Sequence, residues 1–456
     1  MDEKLISEYK SFLDNGKTER ECVSQIVKEA EKNGFVDLNK VDSVKAGDKV
    51  YITKMNKAIA LFTVGSDPLE KGMNILGAHI DSPRLDVKQI PVLERDFICY
   101  FNTHYYGGIK KYQWVTLPLA IHGIVCKTDG TSVNINIGEK ADDPVFCISD
   151  ILPHLAQKQM KESASEFISG ESLDLIVGSI VPPKKDKKEE EKKDDKKDDK
   201  KDDKKNSCKK AILKLLKSQY GIEENDFMSA ELEIVPAGAT RDLGLDRSLI
   251  LGYGQDDRSC AYTSFKALLD SDVKTRTACC ICVDKEEIGS VGATGMDSHF
   301  FENAVAELIA RTSSYSDLIL RRSLANSTML SSDVNAAFDP QNPDLYDRDN
   351  ASFLGSGIVF NKFTGSRGKY SANDANPEYI AKIRSVLEKN NVPYQMSELG
   401  KVDQGGGGTI AYLAAKYGMN VIDAGVPVLS MHAPWEITAK EDIYQAYCAY
   451  KAFLTL

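Results

Sequence analysis

Apolar runs and amphipathic segments alternate along most of the chain. The sequence predicts that the first ~30 residues are helical. Thr18 and Glu21 predict a capping box at a helix start, and the residues that follow them have apolar side chains at helical spacing. The apolar run at residues 73–80 is typical of a buried strand, and the polar side chains of Asp81 and Ser82 follow it. The pattern therefore predicts helices and buried strands, with candidate functional polar residues at the end of a strand.

The same alternation returns after residue 235. Here the sequence predicts helices at residues 259–269, 302–311, 377–389 and 409–418, and strands at residues 231–237, 276–284 and 426–432. Thr438 and Glu441 predict a second capping box, at the start of the last helix. The strands are apolar on both faces, which is typical of a sheet covered by helices. We therefore predict the α/β fold class.

Residues 92–235 have a different pattern. Two apolar segments flank the Thr-Asp-Gly sequence at residues 128–130, which predicts a β-hairpin, and strand–helix alternation is absent. We expect a β-rich domain here, inserted into a domain formed by residues 1–91 and 236–456. Within the insertion, residues 184–205 are 22 consecutive charged residues, 12 Lys and 10 Asp or Glu. This low-complexity segment has no apolar side chain to bury, so it predicts a disordered or weakly helical surface loop.

Composition narrows the class of protein. The chain has 456 residues and a net charge of −10, which argues against nucleic acid or an anionic membrane as a main partner. No apolar run approaches the ~20 residues that span a bilayer, and the N-terminus lacks the apolar core of a signal peptide. We therefore expect a cytoplasmic protein. Its ten cysteines are then expected to be reduced, with Cys279, Cys280 and Cys282 acting as apolar residues of a buried strand.

Candidate metal ligands lie after several predicted strands. His79 and His432 end strands, and the acidic residues at or after strand ends are Asp81, Asp256, Asp257, Glu286, Glu287 and Asp333. Ligand sites of open α/β sheets lie at these strand ends. Two imidazoles and several carboxylates, without a thiolate, suit zinc or another divalent ion. A two-metal site would use one histidine and one terminal carboxylate for each ion, with one shared carboxylate between them.

Two short-range patterns suggest further roles. Residues i and i+2 of a strand point to the same face, so Asp81 can accept the second ring N–H of His79 and fix its tautomer. Of the adjacent acids Glu286 and Glu287, one can bind metal while its neighbour takes a proton from water. Neighbouring side chains of extended backbone point to opposite sides, so we expect only one of the two to reach a metal.

The other histidines and a glycine run have simpler interpretations. His104 and His122 lie in the insertion and are interpreted as structural, and His299 is interpreted as a surface residue near a helix start. The four glycines at residues 405–408 precede a helix but lack the Lys-Ser/Thr ending of a phosphate loop. Close backbone approach to a substrate is therefore favoured over nucleotide binding.

Six stretches form a specific pattern between residues 77 and 436: GAHIDSPRLDVK, GYGQDDRS, DKEEIGS, MLSSDVNAAFDP, GKYSANDANPEY and LSMHAPWE. In composition and order they resemble the aspartyl aminopeptidase and vacuolar aminopeptidase I family of dizinc metallopeptidases. The resemblance implies a mixed-sheet α/β/α metallopeptidase domain with an inserted β-rich dimerisation domain. It also implies self-association into a large homo-oligomer, usually a dodecamer.

The family pattern implies a role for each candidate residue. His79 resembles a terminal zinc ligand steered by Asp81, and Glu286 resembles the general base. The other implied metal ligands are Asp256 as the bridging carboxylate, Glu287, Asp333 as the partner of His79, and His432. The implied cofactor is two Zn²⁺ ions per subunit, with Co²⁺ or Mn²⁺ as alternatives. Lys362 resembles a substrate contact, one residue out of step with the family lysine, and His154 resembles a displaced family histidine that reaches a neighbouring subunit.

We therefore predict a cytoplasmic metallo-aminopeptidase that hydrolyses the N-terminal residue of peptides with a two-metal-activated water and Glu286 as general base. The resemblance suggests acidic or neutral N-terminal residues as substrates. One alternative is another dizinc amidohydrolase, a carboxypeptidase or deacylase, which needs a basic clamp for a substrate carboxylate. A second alternative is a non-enzymatic binding protein that keeps the fold.

Overall fold

The computed structural model describes residues 2–179, 207–365 and 367–456. The chain separates into two compact units, one formed by Met1–Ser82 with Ala239–Leu456 and the other by Pro83–Gly238. The sequence places these boundaries at 91/92 and 235/236 instead. The first differs because one strand runs unbroken from Arg84 to Arg95, through the expected boundary. The charged segment 184–205 lies outside the described residues.

The described residues form twenty strands and nine α-helices. The strands are β1 (Val36–Asp37), β2 (Lys49–Lys54), β3 (Ala58–Thr63), β4 (Asn74–His79), β5 (Arg84–Arg95), β6 (Ile98–Tyr106), β7 (Leu119–Cys126), β8 (Ser132–Ile137), β9 (Leu175–Gly178), β10 (Ala230–Pro236), β11 (Arg241–Leu243), β12 (Leu249–Gly252), β13 (Ala278–Val283), β14 (Thr328–Ser331), β15 (Asn335–Ala336), β16 (Ile358–Asn361), β17 (Tyr394–Met396), β18 (Asn420–Gly425), β19 (Pro427–Val428) and β20 (Glu436–Ala439). The helices are α1 (Glu3–Asn15), α2 (Glu19–Lys32), α3 (Ser207–Tyr220), α4 (Gln255–Leu269), α5 (Phe300–Thr312), α6 (Asp317–Ala325), α7 (Pro377–Lys389), α8 (Ala411–Ala415) and α9 (Lys440–Leu454).

The first unit is built on a nine-stranded mixed sheet with the order β1-β2-β3-β13-β4-β14-β18-β16-β17. Strands β13, β4, β14 and β18 are consecutive neighbours and run parallel. Their carboxyl ends therefore meet at one edge of the sheet. The same unit contains two smaller sheets, β11-β12-β20 and β15-β19.

Helices cover both faces of the nine-stranded sheet. Side chains of a strand alternate between faces, and in β3 the residues Ile59 and Leu61 join one buried apolar cluster while Ala60 and Phe62 join another. The first cluster includes buried residues of α1, α2, α4, α7 and α9, and the second includes those of α5, α6 and α8. The predicted α/β class with a mixed sheet is confirmed.

The second unit consists mostly of β structure. Its sheet has six strands in the order β8-β7-β10-β5-β6-β9, and every neighbouring pair is antiparallel. The predicted hairpin is confirmed, because Cys126 and Ser132 are paired across the turn at residues 128–130. Among the described residues of this unit, α3 is the single α-helix.

Of the two predicted capping boxes, one is confirmed and one is wrong. The N–H of Glu21 donates to Oγ1 of Thr18 over 3.2 Å, and the N–H of Thr18 donates to Oε2 of Glu21 over 3.1 Å. Thr438, in contrast, lies in β20, and its hydroxyl donates to Oε1 of Gln255 over 2.6 Å. The side chain of Thr438, which the local sequence assigned to the start of the last helix, therefore makes a long-range hydrogen bond instead of capping that helix.

The strand predicted at residues 426–432 is also wrong in extent. The sheet strand is β18, which ends at Gly425, and β19 covers only Pro427–Val428. His432 does not end a strand but lies in a turn, with a left-handed φ of 65°. Sequence reasoning missed β18 because Asp423 interrupts its apolar pattern, although that side chain is buried.

The structure describes the state of the cysteines and the character of the helices. All ten cysteines are free thiols, and Cys279, Cys280 and Cys282 are fully buried in β13. Among the described helices, none has the length and apolar composition needed to cross a lipid bilayer.

Candidate active site

The candidate residues converge at the edge where the parallel strands end. His79 is the last residue of β4, Asp333 follows β14, and Glu286 and Glu287 follow β13. These three strands are neighbours, so the side chains that follow them share one edge. Asp256 lies at the start of α4 and His432 in the turn after β19.

Two groups of three potential metal ligands share Asp256. The first group is His79, Asp256 and Asp333, the second is Asp256, Glu287 and His432, and within each group the ligand atoms lie within 4.8 Å of one another. Nε2 of His79 lies 3.1 Å from Oδ1 of Asp256, and Nε2 of His432 lies 3.3 Å from Oδ2. Each oxygen of Asp256 therefore faces a different histidine.

Each histidine also faces a carboxylate of its own group. Nε2 of His79 lies 3.9 Å from Oδ1 of Asp333, and Nε2 of His432 lies 3.5 Å from Oε2 of Glu287. The two groups thus have the same composition of one imidazole, one unshared carboxylate and the shared Asp256. This arrangement can bind two divalent ions side by side.

Asp81 contacts both His79 and the adjacent glutamates. Its Oδ1 lies 3.3 Å from Nδ1 of His79, on the side of the ring opposite Asp256. The same carboxylate accepts the backbone N–H of Glu286 over 3.2 Å and that of Glu287 over 3.3 Å. Oδ2 of Asp257 accepts the backbone N–H of His79 over 3.3 Å, and the peptide bond between Asp256 and Asp257 is cis.

The backbone at Glu286 and Glu287 is not extended, so extended geometry is not the reason why only one of the two would reach a metal, and that expectation stays a prediction. Lys285 has a left-handed φ of 68°, and a 3₁₀ turn follows at Glu286–Ile288. Both glutamate side chains therefore face the ligand cluster. Oε2 of Glu286 lies 3.9 Å from Nε2 of His79, but neither of the two groups that share Asp256 includes Glu286.

Burial and crowding of like charges perturb the acids of the cluster. Burial, assisted by repulsion from Asp81 and Asp256, raises the pKa of Glu286 to about 7. Burial also raises the pKa of Asp333 and of Glu287 well above their ordinary values. Several carboxylates thus compete for little positive charge, and a bound cation would relieve their repulsion.

The histidines respond in the opposite direction. Burial lowers the pKa of His432, but Asp256 together with the charges of Glu287 and Glu436 outweighs burial and raises the pKa to about 10. Burial likewise opposes a raised pKa of His79, but that pKa is raised by the combined effect of Asp256, Asp81, Asp333 and Glu286. The protein therefore favours positive charge at the centre of the cluster.

The side chains fit divalent zinc. Imidazole nitrogen and carboxylate oxygen are usual zinc donors, and the two groups contain only these. Oε1 of Glu287 is buried and has no hydrogen-bond partner among the described residues, although such atoms are normally paired. An ion bound by Asp256, Glu287 and His432 would interact with the carboxylate of Glu287 and so provide this buried group with a partner.

Two predicted substrate contacts, Lys362 and His154, are not members of the two groups that share Asp256. Nζ of Lys362 is 3.5 Å from Oδ1 of Asp374 and forms no ion pair with the two ligand groups in the described part of the chain. His154 is exposed, in a 3₁₀ turn at Pro153–Leu155 of the second unit. Their roles stay predictions.

The remaining histidines have partners outside this cluster. His122 is buried, with Nε2 3.1 Å from Oε1 of Glu139, while His104 is exposed. His299 is exposed, and its Nδ1 is 2.9 Å from Oε2 of Glu302.

Glu436 is a residue of the site that sequence reasoning missed. It is buried at the start of β20, and its carboxylate accepts backbone N–H groups of Asp256 and His432. The one available signal was its place at the end of the LSMHAPWE stretch, four positions after His432.

Comparison with known proteins identifies the family. The chain belongs to the aminopeptidase I zinc metalloprotease (M18) family, whose model matches residues 12–454. It is therefore a zinc metallo-aminopeptidase, a hydrolase, as the sequence predicts. This membership favours the aminopeptidase over the carboxypeptidase and deacylase alternatives.

Relatives are similar over nearly their whole length. A probable M18 family aminopeptidase 1 of Clostridium acetobutylicum is 55% identical over 450 residues, covering 98% of this chain and 93% of the relative. The crystal structure of an M18 aminopeptidase from Thermotoga maritima has a TM-score of 0.92 and 43% identity, covering 100% of this chain and 97% of the other. The S. cerevisiae mApe1 dodecamer, 20% identical with a TM-score of 0.75, covering 98% of this chain and 95% of the other, shares the fold.

Proposed function

We propose that this M18 aminopeptidase binds two zinc ions per subunit and uses Glu286 as the general base that activates water for hydrolysis of the N-terminal peptide bond. His79 and Asp333 would hold one ion, His432 and Glu287 the other, and Asp256 would bridge them. Support comes from one observation, the membership of Asp256 in both groups of ligand atoms. Cobalt or manganese would fit the same donors.

Some side chains of this site would bind the metal ions, and another would transfer protons. Ions bound at these positions would polarise the attacking water and the substrate carbonyl. Glu286 is close to the ligands without belonging to either group, and 17% of its side chain is exposed, so water can reach it. It would accept a proton from water and return it to the leaving amine. Asp81 would hold His79 and the backbone of Glu286 in register for this transfer.

Substrate selection is proposed to rest on charge. The acidic groups around the ligand cluster would attract the free N-terminal amine of a peptide. Lys362, half exposed beside Asp374, would contact an acidic side chain or another anionic part of the substrate. His154 would contact substrate from a neighbouring subunit. A preference for acidic or neutral N-terminal residues is proposed accordingly.

Self-association and a cytoplasmic location are proposed on other features of the chain. The segment 151–160 of the second unit exposes Ile151, Leu152, Leu155 and Met160, with 67% and 71% exposure for the last two. Exposed apolar side chains of this kind favour an interface, so we infer that this β-rich unit makes dimer contacts within a large homo-oligomer, a dodecamer as in the yeast relative. Ten free thiols favour a reducing compartment, the cytoplasm.

Metal analysis and a matched substrate panel test this function. The protein is dialysed against chelator, reloaded with zinc, and assayed on peptides that differ only in a free or acetylated N-terminus. We expect two ions per chain and hydrolysis of the free peptides alone. One ion per chain at full activity would contradict the two-ion proposal, and equal cleavage of acetylated peptides would contradict N-terminal amine recognition.

A further inference from the structure

Glu436 connects the shared ligand to one histidine of the cluster. Its side chain is buried, with 1% exposure, and both oxygens accept hydrogen bonds from backbone groups. Oε2 accepts the N–H of Asp256 over 3.0 Å, and Oε1 accepts the N–H of His432 over 2.8 Å. One carboxylate therefore joins two chain segments that are far apart in sequence.

The segment that contains His432 needs such an anchor. His432 has a φ of 65° and Ser430 a φ of 58°, left-handed values that are uncommon for residues other than glycine. Backbone of this kind persists where the surrounding structure determines it. The hydrogen bond from the N–H of His432 to the buried carboxylate of Glu436 fixes the conformation of this turn.

The position of Glu436 is itself set by the sheet rather than by the ligands. It is paired with Gly252 across β12 and β20. Its backbone carbonyl accepts the side-chain N–H of Gln255 over 2.7 Å, and Oε1 of Gln255 accepts the hydroxyl of Tyr9 over 3.0 Å. The backbone of Glu436 is thus held by the sheet and by Gln255, while its side chain holds the backbone of Asp256 and His432.

We propose that Glu436 is a positioning residue that sets the spacing of Asp256 and His432 for metal binding. This inference rests on the metal site of the proposed function. Glu436 is not a member of either ligand group, and it acts through the backbone of two members. Residues that orient metal ligands in this way affect metal affinity by about 10–100-fold when they are replaced.

Asp442 offers a matched control. It is also fully buried, and it also accepts two backbone N–H groups, from Gly355 over 2.7 Å and from Gly357 over 2.8 Å. Neither glycine belongs to the ligand groups found among the described residues. Replacing Asp442 therefore removes the same kind of buried hydrogen bonds from the same unit without touching a ligand.

The experiment compares Glu436→Ala and Glu436→Gln with Asp442→Ala in the full-length protein. Circular dichroism and thermal unfolding report the fold, and competition with a chromophoric chelator reports the dissociation constants for Zn²⁺ and Co²⁺. The absorption spectrum of bound Co²⁺ reports the ligand geometry. We expect both Glu436 variants to weaken binding of at least one ion by about 10–100-fold and to alter the Co²⁺ spectrum. Asp442→Ala lowers the melting temperature but leaves affinity and spectrum unchanged.

The outcomes separate the two proposals. If the wild-type protein binds no metal, the proposed function is wrong. If it binds two ions and the Glu436 variants bind them with wild-type affinity, only the positioning role is wrong. An equal loss of affinity in Asp442→Ala would also overturn it, since general destabilisation would then explain the effect. Should Glu436→Ala not fold, Glu436→Gln decides, because it keeps the size of the side chain and one acceptor.

Discussion

The backbone N–H of Glu286 donates to Oδ1 of Asp81 over 3.2 Å, and the same oxygen lies 3.3 Å from Nδ1 of His79. The proposed base and a proposed metal ligand are therefore positioned by one carboxylate. Asp81 itself is fully buried. It lies two positions after the end of β4, and the sheet restricts its movement. Changes at this residue should reach both proton transfer and metal binding.

The variant Asp81→Asn tests this coupling. The amide keeps the shape of the side chain and one acceptor oxygen but loses the negative charge and the second acceptor, so it can no longer serve the ring of His79 and the backbone N–H groups of both Glu286 and Glu287. We expect metal affinity to fall about 10–100-fold, with a loss of kcat that remains at saturating metal. Equilibrium dialysis and initial rates over a range of zinc concentrations measure the two effects. Full activity restored by excess zinc would limit Asp81 to a role in metal binding.

Glu286 and Glu287 should fail in different ways. Glu286→Gln keeps size and hydrogen bonding but removes the proton acceptor, so kcat should fall by about 10²–10⁴-fold. Metal content should stay near that of the wild type. Glu287→Ala removes a member of the group with His432, so occupancy of one ion should fall, with activity partly restored by excess metal. Metal content per chain, measured together with kcat, distinguishes the two.

Opposite results would exchange the two assignments. If Glu286→Gln lost metal while Glu287→Ala kept it, Glu287 would be the base. If both variants kept metal and activity, the reaction would take place elsewhere in the protein.

The residues of the two groups that share Asp256 could be predicted from sequence because each follows a recognisable apolar strand or lies in a family motif. His79 ends β4 and Glu287 follows β13, two strands that the apolar pattern predicts, whereas Asp333, which follows β14, was indicated by its family motif. The turn at Glu286 could not be predicted, because its left-handed entry at Lys285 and its bonds to Asp81 depend on a contact more than 200 positions away. Glu436 was missed for a different reason, since both groups that donate to its carboxylate are backbone N–H groups, which leave no signal in the sequence.

Lys362→Ala tests substrate selection. If Lys362 contacts an acidic substrate side chain, its loss should lower kcat/KM for N-terminal Asp and Glu by the worth of a charge-assisted hydrogen bond, about 1.5–3 kcal/mol. Leu and Ala substrates should change little. Asp374→Asn is a useful comparison, because it removes the ion-pair partner of Lys362 and leaves the lysine in place. An equal loss across all four substrates would exclude a role in specificity.

The charged segment should be dispensable for the fold. Deleting residues 184–205 and joining Pro183 to Asn206 removes no apolar side chain. We expect a change in the free energy of unfolding within about 0.5 kcal/mol, with activity retained. Thermal unfolding and specific activity of the deletion variant measure this. Loss of folding or assembly would show that the segment makes structural contacts.

Self-association should depend on the apolar segment 151–160. Light scattering of the wild type should give a particle well above the 50.3 kDa of one chain. Leu155→Glu combined with Met160→Glu places charge where we propose an interface, so the particle should become smaller. Met55→Glu is a matched control, because Met55 is 59% exposed in the other unit. A monomeric wild type at micromolar concentration would refute the oligomer.

The insertion of the β-rich unit after Ser82 has a consequence for protein synthesis. His79 and Asp256 are 177 positions apart, and His432 and Glu436 come later still in the sequence. A ribosome adding about 5–20 residues per second therefore has to pass the whole β-rich unit before His79 and Asp256 can meet. Nascent and prematurely terminated chains lack part of the cluster. The proposed metal site can therefore form only after the ribosome has passed His432.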